Sequence, residues 1–222
     1  MTNPVVPLAC LLDFDNTLFD NDALKDDLDA QLRGLLNPAQ AKRFWELYEV
    51  ARTTGGTVDF PATMAAFRPE VAPDVAERVW SAIWDYPFAS RVYPQSQLAI
   101  AHLWEIGATV GILSDGDASY QPHKIAASGL SDAVRGQVRV FTHKQEHLDE
   151  IFTWLPAEQY VMIDDKATIL ADLKRRQPTR FTTIHVHQGH YATIAADPIA
   201  DIPLDGIGDV LRFNLAQLTR AR

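Results

Sequence analysis

Asp13, Asp15, Ser114, Lys144, Asp164 and Asp165 each stand at or just beyond the end of a short apolar run. Leu8-Ala9-Cys10-Leu11-Leu12 precedes the first two, Thr109-Val110-Gly111-Ile112-Leu113 the serine, Val138-Arg139-Val140-Phe141 the lysine, and Tyr160-Val161-Met162-Ile163 the last pair. In an open parallel α/β sheet, ligands bind beyond the carboxyl ends of the strands, so these side chains should converge. Several carboxylates together with main-chain carbonyls suit a hard octahedral cation such as Mg²⁺, which commonly bridges carboxylates to a phosphate. A lysine and a hydroxyl can hold the remaining phosphate oxygens, and a carboxylate can attack phosphorus as a nucleophile.

Such convergence requires strands that end where the polar residues begin. Apolar runs closed by turn-forming residues predict buried parallel strands over 8–12, 109–113, 138–141 and 160–163, with a fifth over 181–186 leading into His187-Gln188-Gly189-His190. Between them lie helical patterns. Over 145–155, Leu148, Ile151, Phe152 and Leu155 follow the spacing of one helix face, and 94–107 and 167–177 fill two further crossovers, closed by Gly107 and Pro178. Alternating strands and helices predict a Rossmann-like three-layer α/β/α core around a parallel sheet.

The stretch from about Asp20 to Tyr93 breaks this rhythm. It has no convincing strand but three amphipathic patterns: Leu24, Leu28, Leu32 and Leu35; Phe44, Leu47, Tyr48 and Ala51; and Ala76, Val79, Trp80, Ile83 and Trp84. Pro38 suits a first helical turn, and Thr53-Thr54-Gly55-Gly56 a helix end. A core of residues 1–19 and 94–222 with an all-helical insert at 20–93 is the expected organisation.

These blocks resemble the haloacid dehalogenase superfamily at all four of its motifs, in order: Asp13-Phe14-Asp15-Asn16-Thr17-Leu18, Ile112-Leu113-Ser114-Asp115-Gly116, Lys144, and Ile163-Asp164-Asp165. The insert lies where that superfamily places its helical C1 cap, and Gln188-Gly189-His190-Tyr191 is similar to a segment of some members. The resemblance implies a Mg²⁺-dependent hydrolase in which Asp13 is the nucleophile and Asp15 the general acid and then the base. Mg²⁺ would be held by Asp13, the Asp15 main-chain carbonyl and Asp165, with Asp164 assisting directly or through water. Ser114 and Lys144 would bind the phosphoryl oxygens.

Other readings of the same residues stay open. Asp13 and Asp15 also fit an Asx turn, Ser114 a simple turn residue, and Asp164 and Asp165 a helix N-cap. Lys124 and Lys166 are expected at the solvated surface. The histidines His143, His147, His185, His187 and His190 suggest a metal cluster, but no metalloprotease spacing accompanies them. Asp115 stands where many superfamily members have Asn, which adds a negative charge near a phosphate unless it turns away. Ile169 follows Asp165 by four residues, so a further downstream carboxylate used by some members is absent.

The leading expectation is a phosphatase acting on a small phosphorylated metabolite. A phosphomutase or phosphotransferase keeps both aspartates and differs in the acceptor. A haloacid dehalogenase-like hydrolase is disfavoured because halide displacement does not need Asp15. A phosphonate-cleaving variant would need a lysine from the insert, where Lys25 and Lys42 have no motif context. A catalytically silent binding module is the other class. Lys plus Arg number 20 against 29 for Asp plus Glu, a net charge of −9 that disfavours nucleic acid or an anionic membrane as partner. The lone Cys10 lies in an apolar run and excludes a disulfide framework. With no signal-peptide pattern and no long apolar run, the expected location is cytoplasmic.

Overall fold

The computed structural model describes residues 5–193 and 200–220, so the outermost ends of the 1–19 and 94–222 segments lie outside the described residues. From Leu8 onward strand β1 (Val6–Leu12) is buried on both faces, as a strand between two helical layers must be. It is joined by β2 (Thr109–Asp115), β3 (Val138–Phe141), β4 (Ala157–Asp164), β5 (Phe181–Val186) and β6 (Ile202–Leu204). The strands form one parallel sheet in the order β3-β2-β1-β4-β5-β6. The chain reverses its direction of sheet growth between β1 and β4, which opens a crevice at their carboxyl ends. Strand β6 escapes sequence reasoning because it is a three-residue edge containing Pro203.

Four helices follow β1: α1 (Asn21–Leu35), α2 (Pro38–Gly55), α3 (Phe60–Phe67) and α4 (Pro73–Trp84). The Asp20 carboxylate accepts from Ala23 N at 2.9 Å and starts α1, whose Leu24, Leu28 and Leu32 are buried. Asn37 and Gln40 form a reciprocal capping box on α2, with Pro38 in its first turn, and the helix ends at Gly56 in the left-handed region. The unforeseen α3 is capped by Asp59 and buries Phe60, Met64 and Phe67. Aromatic pairs carry the packing from the insert to the core: Phe44–Phe67 and Tyr48–Phe60 at 5.3 Å, Phe60–Tyr120 at 4.9 Å, and Trp84 stacked on His123 at 3.9 Å. Such pairs contribute about 0.5–1.5 kcal/mol each beyond area burial.

The two chain crossings into and out of the insert run side by side. Asp20 N donates to Arg91 O at 2.7 Å and Tyr93 N to Leu18 O at 2.9 Å, while Ser96 Oγ also donates to Leu18 O.

The remaining helices are α5 (Ser96–Glu105), α6 (Tyr120–Ala127), α7 (Leu130–Ala133), α8 (Leu148–Trp154), α9 (Ala167–Arg176) and α10 (Leu215–Arg220). Period-two alternation along β1 splits the core. Leu8, Cys10 and Leu12 join Ile100 and Leu103 of α5 and Ile125 of α6, whereas Ala9 and Leu11 join Ile151 of α8 and Leu170 and Leu173 of α9. The helix predicted over 145–155 is shorter. Lys144–Glu146 is a 3₁₀ turn, because the Lys144 amide is bound to Asp115 and its side chain is drawn inward, and α8 begins at Leu148. Among the described residues, no helix is long and apolar enough to cross a membrane.

Candidate active site

Strand β1 lies between β2 and β4, with Leu12 paired to both Ile112 and Ile163. This register brings the ends carrying Asp13, Ser114 and Asp164 side by side, and Asp13 N donates to Ile163 O at 2.9 Å. Lys144 enters from the end of β3. Its ammonium lies 2.5 Å from Asp13 Oδ1 and 2.7 Å from Asp164 Oδ2, and donates to Leu113 O at 3.1 Å. All three charged groups are buried. Burial pulls the Lys144 pKa down, but the surrounding Asp13, Asp164 and Asp115 charges outweigh it and raise it above the usual lysine value.

One oxygen from each of Asp13, Asp164 and Asp165 lies within 4.8 Å of the others, the single such cluster of metal-ligating side chains among the described residues. Asp165 N donates to Thr17 Oγ1 at 3.1 Å, yet neither Asp165 carboxylate oxygen has a hydrogen-bond partner although both are buried. Orphaned buried carboxylate oxygens are costly unless a cation meets them, so the donor set fits a hard divalent ion. Burial, reinforced by Asp164 and Asp13, pushes the Asp165 pKa up to about 9. Burial also pushes Asp13 up to about 7, with Asp164 adding to the rise and Lys144 opposing it. Asp164 serves two ends: Oδ1 accepts from Lys166 N at 2.8 Å, the turn-capping role, while Oδ2 faces Lys144.

The Asp15 carboxylate is outside that cluster, so any metal contact from Asp15 rests on its main-chain carbonyl. Its Oδ1 lies 2.5 Å from Lys124 Nζ, and its Oδ2 accepts from Gln121 Nε2 at 3.1 Å. The Gln121 amide also donates to Ser114 Oγ at 2.9 Å, which links the hydroxyl to Asp15. Lys124 therefore departs from the surface position expected of it: it is 2% exposed. Tyr120, Gln121 and Lys124 share one face of α6, and that face is turned to the loop after β1 rather than to solvent. In the sequence the one trace of this pair is its helical i, i+3 spacing, which puts Gln121 and Lys124 on the same face of α6.

The Asp115 carboxylate is engaged by the main chain of the turn after β3, its Oδ1 accepting from Lys144 N at 2.8 Å. Lys166 is half-buried, with its ammonium 5.8 Å from the centre of the Tyr191 ring and its charge raised in affinity for a proton by Asp13, Asp164 and Asp165 against the cost of burial. The histidines do not converge on the carboxylates. His143 is exposed, His147 pairs with Glu150, His185 Nε2 donates to Asp165 O at 2.9 Å, His187 Nε2 lies 3.1 Å from His185 Nδ1, and His190 binds Asp22.

Solved structures resemble this chain over more than nine-tenths of its length. A protein described as a haloacid dehalogenase-like hydrolase from Burkholderia xenovorans superposes with a TM-score of 0.87 and is 40% identical over 95% of this chain and 100% of its own. The HAD-hydrolase YfnB from Bacillus subtilis, bound to magnesium, gives a TM-score of 0.61 at 14% identity, covering 95% of this chain and 100% of its own. A β-phosphoglucomutase-like protein from Thermotoga maritima gives 0.60 at 13% identity, covering 91% and 96%. These last two likenesses are of fold alone. Neither a family model nor a curated protein sequence matches the chain.

Proposed function

Because the chain belongs to the haloacid dehalogenase-like hydrolases, we propose that it is a Mg²⁺-dependent phosphatase that cleaves a small phosphorylated metabolite through an aspartyl-phosphate. The observation that carries this reading is the placement of the Asp15 carboxylate beside Ser114 and apart from the Asp13, Asp164 and Asp165 cluster. That arrangement separates a proton-transfer group from a nucleophile and cation site, a division of labour that phosphoryl transfer needs and halide displacement does not.

Asp13, Asp164, Asp165 and the Asp15 main-chain carbonyl would hold Mg²⁺, which when bound neutralises charge on the phosphoryl oxygens. Lys144, fixed against Asp13, offers its positive charge to the same oxygens, and the Ser114 hydroxyl a hydrogen bond. An Asp13 carboxylate oxygen attacks phosphorus and the bond from phosphorus to the leaving oxygen breaks. That oxygen takes the proton of the Asp15 carboxylic acid. Asp15, now a carboxylate, accepts a proton from water as the water oxygen attacks phosphorus, and the Asp13–phosphorus bond breaks to release inorganic phosphate. The helical insert, packed over α6 through Phe60 and Trp84, would cover the leaving group and exclude bulk water.

Release of inorganic phosphate from p-nitrophenyl phosphate, sugar phosphates and nucleoside monophosphates tests this, with Mg²⁺ or EDTA and with wild type or Asp13→Asn. Turnover that needs both Mg²⁺ and Asp13 is the expected result. Absence of turnover on every ester sinks it.

A further inference from the structure

Lys124 is a buried ammonium that no part of the proposed chemistry uses. It sits on the core helix α6, one turn beyond Gln121, and the two side chains grip Asp15 as a fork: Lys124 on Oδ1 and Gln121 on Oδ2. A carboxylate held at both oxygens by donors from one helix has lost its rotational freedom. Gln121 also binds Ser114 Oγ, so Oδ2 is the oxygen turned toward the phosphate-binding side and Oδ1 the one turned toward the lysine. Each carboxylate oxygen has more than one acceptor position, so Oδ2 can carry a proton while still accepting from Gln121.

The second polar contact of Lys124 is with the insert. Its Nζ donates to Asn21 Oδ1 at 2.6 Å, and Asn21 is the first residue of α1. Around these two acceptors lie the faces of Phe19 and Phe14, with ring centres 4.7 Å and 5.5 Å from the ammonium. A buried ammonium that loses one of two oxygen acceptors is strongly penalised. Displacing Asn21 therefore disturbs Lys124, and through it Asp15.

We propose that Lys124 is a positioning residue that fixes the Asp15 carboxylate with Oδ2 toward the leaving group and couples that orientation to the seat of the helical insert through Asn21. The consequence for catalysis rests on the phosphatase reading above. The oxygen partners of Lys124 are Asp15 and Asn21, and Asp13 is not among them. Removal of Lys124 should act on proton donation to the leaving group and spare nucleophilic attack.

The test compares phenyl phosphate, whose leaving oxygen needs a proton, with p-nitrophenyl phosphate, whose leaving group departs readily without one. Lys124→Met is expected to lower kcat about 100-fold on phenyl phosphate and less than about tenfold on p-nitrophenyl phosphate, with KM within about twofold on both, since general acid catalysis contributes about 10²–10⁴-fold. Asn21→Ala should show the same selectivity at about tenfold, and it carries the comparison if Lys124→Met does not fold. Equal losses on the two esters overturn the proposal, because a merely structural lysine would not distinguish leaving groups. Wild-type protein that hydrolyses no phosphate ester retires the phosphatase reading alone. Crystal structures of wild type and Lys124→Met then decide: an Asp15 carboxylate released from Gln121 in the variant supports the positioning role, and an unchanged one overturns it.

Discussion

Gly189 packs directly on Asn16: a Cβ built on the glycine would lie 2.6 Å from Asn16 Cβ, and both residues have left-handed backbones, with φ of 63° and 58°. Asn16 belongs to the loop that aims Asp13 and Asp15, and its Oδ1 accepts from Asn21 N at 3.1 Å and Asp22 N at 3.3 Å. The glycine thus lets the segment after β5 press on the joint between this loop and α1. Gly189→Ala should destabilise the protein by about 2 kcal/mol or more, since a left-handed non-glycine alone costs about 1–3 kcal/mol and the methyl group must also displace Asn16. Denaturant unfolding measures this. A variant as stable as wild type would show that the segment yields freely.

Asp165 and Asp13 make stability depend on pH in an unusual direction. Their folded pKa values, about 9 and about 7, lie above the ordinary 3.8, so between those limits the folded state binds more protons than the unfolded one. Their contribution is favourable below about pH 4 and is lost as pH rises through about 7 and then about 9. Mg²⁺ held as proposed would compete with the bound protons, so the rise in Tm expected from it should be larger at pH 8 than at pH 5.5. Asp165→Asn removes one titrating group. Without Mg²⁺ at pH 8 it should melt about 3 °C or more above wild type, and Mg²⁺ should then add little. Equal Mg²⁺ increments in the two proteins, read by calorimetry, would contradict the role given to Asp165.

Most of the sheet was legible because β1, β2 and β4 carry nearly continuous apolar runs that end where the polar site residues begin, and β5 joins Phe181, Ile184 and Val186 to the β-branched Thr182 and Thr183. The residue types at those ends were legible for the same reason. What escaped depends on tertiary contacts. Lys124 reads as a solvated lysine until α6 is turned toward the β1 loop, and its burial is decided by Asp15 and Asn21, more than a hundred positions away in the chain. Gln121 has no charge to draw notice, yet it joins Ser114 to Asp15. Helix α3 left a trace in Asp59 and in the spacing of Phe60, Met64 and Phe67, but its dense apolar composition hides the amphipathic contrast on which periodicity depends.

Asp115 illustrates a charge whose direction cannot be read from its neighbours in sequence. With Oδ1 accepting from Lys144 N at 2.8 Å, it anchors the turn that presents Lys144. Asp115→Asn keeps that acceptor, and its KM for a phosphate ester should stay within about twofold of wild type, whereas Asp115→Ala should lower stability by about 1–3 kcal/mol through an unsatisfied amide. A large fall in KM for the Asn variant would mean instead that the Asp115 charge repels substrate.

Lys144 is 1% exposed and stands between Asp13 and Asp164, so its replacement by methionine leaves two buried carboxylates facing each other without a cation. Removing one partner of a buried ion pair typically costs about 3–5 kcal/mol. A divalent cation among Asp13, Asp164 and Asp165 would restore part of the missing charge, so Mg²⁺ should raise the Tm of Lys144→Met more than that of wild type. Turnover of a phosphate ester should nonetheless stay lost, because the ammonium proposed to meet the phosphoryl oxygens is gone. Calorimetry with and without Mg²⁺ separates the two effects: equal increments would place the cation too far from Asp13 and Asp164 to stand in for Lys144.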